Sequence, residues 1–403
     1  MHVIGSSANT LSTSYVQNLG GHGIYFDINA NSNQVSGSSA VIDLAGRSAL
    51  WLVSSSSNSI SSGKFTNVSG DAVSILTASN GNSISFSTMS APASYGLYAD
   101  SSATNTVTQC YMGGLLGGAY MNAANYITIS ISTMVGTIGF QTNASDWNKV
   151  VRSYVSGTTG LNWSGGSDFN SIYSSTMIGT GSIGLWINAS DWNTSTGSYM
   201  SGAQRGVVIE TGADFNTIYR STVVSNSAGN PGLHIIGSSS NTIQHSLVQG
   251  STAAFITGST GTVIGGSIFI ATNTAGAALA LGGVSVNLAV SSTVLRAFRG
   301  TPGAAALYLS ASNKGWLVFS TNTMSGGQYG AYIATQTAGT QLWLSSNTIL
   351  VASTGTTAAY GLYLNGLVSG ATIQNNGIYA RLAGPVNALS ATAFHAQTTS
   401  GIL

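Results

Sequence analysis

The 403-residue chain has very few charged residues. Asp, Glu, Lys and Arg make up 5% of the sequence, whereas an ordinary soluble domain has roughly 25%. The ten Lys and Arg residues are scattered singly, and the formal net charge is +1. The sequence therefore lacks the basic stripe that neutralises phosphates, and we expect no nucleic-acid partner.

Cysteine and long apolar runs are also scarce. The single cysteine, Cys110, cannot form an internal disulfide or supply a thiolate cluster alone. The longest apolar candidate, Ala275 to Val290, is interrupted by Gly, Ser and Asn, so we expect no membrane span. The first residues do not have the basic and apolar segments of a secretory signal. This predicts export by another route, or a piece of a larger protein.

What the sequence has in abundance is an internal repeat. Its form is Asn-x-Ile/Val-x-x-Ser-x-Met/Val, then a Gly-rich turn, then Gly-Leu-x-Ile and a polar turn that leads to the next Asn. Apolar and polar residues alternate over short runs, which is typical of strands. A small polar residue recurs about every 23 residues, at these positions: Ser14, Ser38, Gly63, Ser87, Cys110, Ser132, Ser153, Ser175, Ser198, Ser221, Ser246, Gly266, Ser292, Asn322, Asn347 and Asn376. The pattern predicts an all-β fold, a parallel β-helix (solenoid) of about sixteen coils.

These motifs resemble those of the right-handed parallel β-helix repeat proteins, the pectate-lyase-like superfamily, from about Asn9 to Ile378. The resemblance implies a single right-handed solenoid. We expect residues 1–268 to form regular coils of about 23 residues and residues 269–403 to form longer, Ala-rich coils of the same solenoid with a C-terminal tail. Because that superfamily includes lyases, hydrolases, tailspikes, adhesins and structural stalks, the resemblance leaves function open.

The pentapeptide ASDWN occurs twice, at 144–148 and 189–193, and marks a duplicated pair of coils. Four carboxylates precede the repeat Asn by two positions: Asp146, Asp168, Asp191 and Asp214. In one interpretation they form Asx turns at a coil corner. In the other they line one edge about 5 Å apart and share Ca²⁺, which accepts oxygen ligands. No other cofactor is predicted.

Two columns of aromatic residues are expected to point outward. The first belongs to the Gly-Leu-x-Ile strands and contains Tyr25, Trp51, Tyr98, Tyr120, Trp186, Tyr308, Tyr332 and Tyr363. The second alternates with Thr and contains Tyr111, Tyr154 and Tyr199. Aromatic residues are common on exposed strands, but they also anchor subunit contacts or dock sugar rings, and all three interpretations stay open here.

Catalytic signals are weak. The four Asp residues are the only acidic set on one edge, and the five histidines have no zinc-binding spacing. We therefore predict no catalytic residue, and whether the protein is an enzyme stays open, with the balance against it.

The sequence favours a non-catalytic structural β-helix of an extracellular filament or cell-surface stalk. Low charge limits self-repulsion, and the absence of a recognisable capping helix predicts open strand edges at the ends. Such a chain would pack end to end or laterally, against copies of itself or neighbouring segments of a surface protein. The alternatives are a glycan-binding adhesin or tailspike-like module that uses the aromatic columns, and a polysaccharide lyase or hydrolase acting near the four Asp residues.

Overall fold

The computed structural model describes residues 1–298, 303–353, 358–366, 368, 370–382 and 391–397. Within these ranges the regular structure consists of short β-strands, and no helix occurs. It follows that no helix in this part of the chain could cross a membrane.

Each coil of the repeat contains three strands, which belong to three parallel sheets. We call the sheets I, II and III, for the strands built from the Gly-Leu-x-Ile, Asn-x-Ile and Ser-x-Met runs. Within each of the two units described below, a strand pairs in parallel with its equivalent in the next coil. In sheet II, for example, Ile84 lies opposite Val107, and in sheet III Met89 lies opposite Met112.

The chain divides into two compact units, Met1–Tyr199 and Met200–Leu403. In the first unit, the strands of sheet I are His2–Ile4, Ile24–Asp27, Ser48–Val53, Asp71–Leu76, Tyr95–Asp100, Gly117–Asn122, Ile138–Asn143, Thr159–Ser164 and Ile183–Asn188. Those of sheet II are Thr10–Ser12, Gln34–Ser36, Ser59–Ser61, Ser83–Ser85, Thr106–Thr108, Thr128–Ser130, Lys149–Val151, Ser171–Tyr173 and Thr194–Thr196. Those of sheet III are Tyr15–Asn18, Ser39–Ile42, Lys64–Asn67, Thr88–Ala91, Tyr111–Gly114, Thr133–Val135, Tyr154–Gly157 and Thr176–Gly179. The strand Tyr199–Gly202 contains the boundary.

The second unit repeats the same three kinds of strand. The strands of the sheet I kind are Arg205–Glu210, Leu233–Ile236, Ala254–Thr257, Leu279–Gly282, Ala305–Leu309, Tyr329–Ala334, Ala359–Asn365 and Ala391–Gln397. Those of the sheet II kind are Thr217–Tyr219, Thr242–Gln244, Val263–Gly265, Val286–Ser291, Lys314–Ser320, Gln341–Ser345 and Ala371–Gln374. Those of the sheet III kind are Thr222–Ser225, Leu247–Gly250, Ile268–Ala271, Val294–Arg296, Thr323–Gly326, Thr348–Ser353 and Gly377–Leu382.

The core is formed by the alternate residues that point into each coil. In the strand Ile183–Asn188, Leu185 and Ile187 are buried and Trp186 is half-exposed, as the alternation predicts. Full burial of one such aliphatic side chain contributes about 1.5–3 kcal/mol. Because each coil adds the same inward positions, the hydrophobic core continues from coil to coil within a unit.

Buried asparagines connect successive coils where the chain enters sheet II. The N–H of Asn33 donates to Oδ1 of Asn58 (2.8 Å), and the N–H of Asn58 donates to Oδ1 of Asn82 in the same way (2.8 Å). The side-chain amides donate along the same line, as from Nδ2 of Asn58 to Oδ1 of Asn82 (3.1 Å). This asparagine ladder satisfies buried backbone groups that the corner removes from the sheets.

A second ladder, mostly of serines, lies between sheets II and III. The N–H of Ser132 donates to Oγ of Ser153 (3.1 Å), and Cys110 takes one buried place in the column. Two ladder positions predicted from the sequence are wrong by one residue. The N–H of Ser246 donates to Ser267, not to Gly266, and Thr293, not Ser292, donates its N–H to Asn322.

The predicted fold class, an all-β parallel β-helix, is confirmed. The division of the sequence at residue 268 stays a prediction.

Candidate functional site

An exposed row of aromatic rings lies at the corner between sheets I and II in the first unit. We call Tyr126, Trp147, Phe169 and Trp192 the corner ridge; their side chains are 56%, 46%, 39% and 50% exposed. Neighbouring rings are nearly parallel, with interplanar angles of 5°, 6° and 8°. Their centroids are 6.2 Å apart for Tyr126 and Trp147, 4.5 Å for Trp147 and Phe169, and 6.2 Å for Phe169 and Trp192. The ridge is therefore a continuous stack that spans four coils.

The backbone of the ridge residues is left-handed, with φ of 57°, 59°, 56° and 58° in chain order. A left-handed residue with a Cβ costs roughly 1–2 kcal/mol, and large side chains seldom adopt this conformation. Coils nearer the N-terminus place small residues here: Ala8, Ser32, Ser57, Gly81 and Thr104. Folding alone does not need large exposed rings at this corner, so the ridge is a candidate interaction surface.

The predicted Asp column lies beside the ridge, one residue earlier in each coil. Oδ1 of Asp146 accepts the N–H of Asp168 (2.8 Å), and Oδ1 of Asp168 accepts the N–H of Asp191 (2.7 Å). In the second unit, Oδ1 of Asp214 accepts the N–H of Ser239 (2.5 Å). These bonds join each coil to the next, whereas an Asx turn would bond the carboxylate to its own nearby backbone. Among the described residues, no group of three His, Cys, Asp or Glu is placed to hold a metal ion, and the calcium site stays a prediction.

The outward aromatic residues of sheet I form two clusters in the first unit. The ring of Trp51 is 4.0 Å from that of His22, at an interplanar angle of 47°, and 6.5 Å from that of Tyr25, at 87°. Tyr120 is 5.6 Å from Tyr98 at 38° and also contacts Tyr95. Trp186 faces outward further along the same sheet. In contrast to the ridge, these clusters mix tilted and stacked pairs, since His2 stacks on Tyr25 at 3° and Tyr95 lies at 23° to Tyr98.

Polar groups surround the tilted rings. The Asp71 carboxylate accepts hydrogen bonds from the hydroxyl of Ser94 (2.6 Å) and the N–H of Tyr95 (3.2 Å), while burial raises its pKa. Burial, followed by the charge of Asp100, raises the pKa of Tyr98 to about 12. Burial and the Arg47 guanidinium lower the pKa of His22 to about 4. Two carboxylates and one guanidinium thus lie beside these rings.

This polar face does not provide a glycosidase pair. Asp71 lies opposite Ser48, whereas Asp100 lies opposite Leu76, five residues further along the strand. At about 3.3 Å per residue, the two carboxylates are roughly 16 Å apart along the sheet. Acid and base carboxyls of glycoside hydrolases are about 5–10 Å apart, so these two cannot act on one glycosidic bond.

In the second unit, the tyrosines predicted to face outward from the sheet I strands form a stack. Tyr332 lies 5.1 Å from Tyr308 and 5.5 Å from Tyr363, with interplanar angles of 8° and 10°. Tyr329 and Tyr360, which the sequence pattern did not single out, pack edge-on against this stack. Burial raises the pKa of Tyr329.

The second predicted column lies on sheet III and does not form a stack. Tyr111 and Tyr154 are exposed, but each lies opposite Thr133 on the strand between them. Tyr199 is exposed as well. The tyrosines are thus separated by intervening threonines.

The sequence pattern shows the ridge residues, although the aromatic columns predicted from it contain other residues. Trp and Phe alternate between the Asp and the Asn of the duplicated coils, at Trp147, Phe169 and Trp192. Strand alternation does not identify these rings, because they occupy a corner and not a strand.

Three parallel sheets, ladders at the corners and a continuous core define a parallel β-helix protein. Residues 183–376 match the family model described as the right handed beta helix region, which confirms the resemblance. The described residues have the fold of a right-handed parallel β-helix.

The fold is similar to that of several solved structures. The Dettilon tailspike protein aligns with 84% of this chain at 12% identity and a TM-score of 0.44, and the chain spans 60% of the tailspike's length. The A-module of a mannuronan C-5 epimerase from Azotobacter vinelandii aligns with 93% of this chain and 90% of its own, at 10% identity and a TM-score of 0.43. A DFA-IIIase from Arthrobacter chlorophenolicus aligns with 70% of this chain and 80% of its own, at 8% identity and a TM-score of 0.39. No curated protein matches the sequence.

Proposed function

We propose that the protein is a non-catalytic structural β-helix of an extracellular filament or cell-surface assembly, and that the corner ridge packs laterally against another protein surface. The observation that carries this proposal is the row of exposed, parallel rings held in left-handed backbone at Tyr126, Trp147, Phe169 and Trp192. Aromatic residues of this kind are enriched at protein interfaces.

The ring orientation favours a protein over a sugar as the occupant of the ridge. A sugar docks on the face of an aromatic ring, but in this stack the faces of Trp147 and Phe169 are turned toward each other at 4.5 Å. What the ridge presents to the outside is a line of ring edges. An apolar line of this kind fits a groove between side chains on another protein.

The size of the ridge is consistent with part of an interface. An aromatic side chain has about 150–250 Å² of surface, so four rings at the observed exposures present roughly 400 Å². A standard interface buries about 800 Å² on each partner. The ridge would therefore supply about half of one side of a stable contact.

Sedimentation velocity across a dilution series tests this proposal. The triple variant Trp147→Ser, Phe169→Ser and Trp192→Ser should fold, since Ser32 and Ser57 occupy the same corner position. We expect the wild type to assemble as its concentration rises and the triple variant to lose at least tenfold in association constant.

Phe86→Ser is the matched control. Phe86 is 59% exposed and left-handed (φ 49°), but it lies at the corner between sheets II and III. Equal assembly of the wild type and the triple variant, or an equal loss in the Phe86 control, would overturn the proposed role of the ridge.

A second candidate function is glycan binding on sheet I of the first unit. Here the rings of Trp51 and Tyr98 are tilted from their neighbours and lie among polar groups such as Asp71, which supports an adhesin-like role. A glycan array probed with the wild type and with a Tyr98→Ala, Tyr120→Ala variant tests it, and an unchanged profile would reject these residues.

A further inference from the structure

We infer that the surface that packs on the corner ridge carries lysine or arginine side chains, which place their charged heads on the carboxylates of Asp146 and Asp168. This inference rests on the proposed function, because it names the chemistry of the ridge's partner. It is carried by the juxtaposition of an apolar ridge and a parallel row of carboxylates one residue away.

The negative charge is not needed to build the corner. Asn125 occupies the same position one coil earlier, and its Oδ1 accepts the N–H of Asp146 (2.7 Å). Asn31 and Asn80 do the same in other coils, accepting the N–H of Ser56 and Ala103 at 2.7 Å each. A neutral side chain therefore makes the same hydrogen bond, and the carboxylate occurs with Trp147, Phe169 and Trp192.

The carboxylates retain an oxygen for an external partner. Oδ1 of Asp146 and of Asp168 is used by the next coil. Within the described part of the chain, Oδ2 of these two residues makes no hydrogen bond, and neither carboxylate forms an ion pair. Equivalent atoms in successive coils lie about 4.8 Å apart, where like charges repel. A cationic partner would relieve this repulsion.

The arrangement suits an organic cation better than a metal ion. Calcium takes six to eight converging oxygen ligands, but these carboxylates stand in a line with one oxygen each already committed. Lysine and arginine combine an apolar stem with a charged head. The stem would pack against the ring edges of Trp147 and Phe169, while the head forms a charge-assisted hydrogen bond with the neighbouring carboxylate.

Among the described residues, a second copy of this chain does not offer a matching row of cations. Lys149 lies between Thr128 and Ser171 on the neighbouring strands, and the ten basic residues are otherwise scattered singly. Self-association through the ridge therefore uses the rings alone, and the partner that also contacts the carboxylates is a different protein segment, with Lys or Arg on adjacent strands or turns.

A peptide-binding experiment tests the inference. The probe is a synthetic peptide of four Gly-Arg repeats, and its binding is measured by tryptophan fluorescence and calorimetry. We expect it to bind the full chain, and the variant Asp146→Asn, Asp168→Asn to bind it at least tenfold more weakly. This variant keeps the corner hydrogen bonds, because Asn already makes them at residue 125. Asp43→Asn, an exposed carboxylate elsewhere on the surface, is the control and should bind the peptide as the wild type does.

Several outcomes would overturn the inference. These are no peptide binding to the wild type, equal binding to wild type and variant, equal binding of a Gly-Gln peptide, and a calcium-induced rise in melting temperature that the variant loses. The Asp variant leaves the rings intact, and assembly is measured separately with the Ser variants. A failed cation preference and a failed ridge contact can therefore be told apart.

Discussion

Single buried asparagines hold successive coils together at the corners. Oδ1 of Asn58 accepts both the N–H (2.8 Å) and the side-chain amide (3.1 Å) of Asn33. We predict that Asn58→Ala lowers the free energy of unfolding by about 1–3 kcal/mol, since it leaves the buried N–H of Asn33 without an acceptor. Chemical denaturation measures the loss, and hydrogen exchange of the segment around Asn33 should become faster.

Ser59→Ala is the control for this prediction. Ser59 is the next residue in the chain but faces outward on sheet II and is exposed. If both substitutions changed stability equally, the asparagine ladder would not be a significant source of stability.

A half-buried histidine in the second unit predicts loss of stability in acid. Burial and the Arg205 guanidinium lower the pKa of His234 from 6.5 to about 4. Between these values the unfolded chain binds a proton that the folded chain does not. Stability is therefore greatest above pH 6.5 and falls as the pH decreases toward 4.

His234→Phe should flatten part of this pH dependence, because phenylalanine cannot titrate and Phe255 already contacts the position. Melting temperatures from pH 8 to pH 4 measure it. The pKa of His22 in the first unit is lowered in the same way, so the same measurement on His22→Phe is a second test. An unchanged slope in both variants would contradict the assignment.

At the residue scale, the sequence predicted the columns but not always their register. Ser267 and Thr293, not Gly266 and Ser292, lie in the serine ladder, and Phe255 lies in register with the outward-facing His234. The repeat length varies in this part of the chain. One residue more or less in a turn exchanges the inward-facing and outward-facing positions of the strand that follows. The repeat alone does not show in which turn the extra residue lies.

At the scale of the elements, the corners store backbone strain. Ile131 is β-branched, 52% exposed and left-handed (φ 49°). We predict that Ile131→Asn raises the free energy of unfolding by about 1 kcal/mol, because Asn tolerates this conformation better and the lost side chain was largely exposed. Urea denaturation measures the change.

Val151→Asn is the matched control for Ile131→Asn. Val151 is a partly exposed, β-branched residue that lies within a strand and not at a corner. The Val151→Asn variant should have an unchanged or lower free energy of unfolding, since Asn is disfavoured in strands. Stabilisation of both variants would show that the effect does not come from the left-handed corner.

Strands and corners differ in how far they could be predicted. Strands follow an alternation of apolar and polar residues that the sequence shows directly, as in the segment with Leu185, Trp186 and Ile187. Corners have no such period, and their left-handed residues range from Gly81 to Trp147. The ring stack of the ridge depends on the registration of successive coils, which local pattern does not reveal.

At the scale of the whole molecule, low charge predicts assembly that is insensitive to salt. Only 5% of residues are charged and the formal net charge is +1, so screening changes self-repulsion little. Contacts made by the ridge rings are apolar and do not depend on ionic strength to first order. We predict an association constant that changes less than about threefold between 0.05 and 0.5 M NaCl, measured by sedimentation velocity.

Binding to the carboxylate row, by contrast, should depend on salt. Exposed charge pairs are screened within about 10 Å at 0.1 M salt, so binding of the Gly-Arg peptide should weaken by about tenfold over the same range. The Asp146→Asn, Asp168→Asn variant should show little of this dependence, whereas the Asp43→Asn control should retain it. Salt-sensitive assembly that persists in the Asp variant would place the main contact on other charged residues and would count against the ridge as the dominant surface.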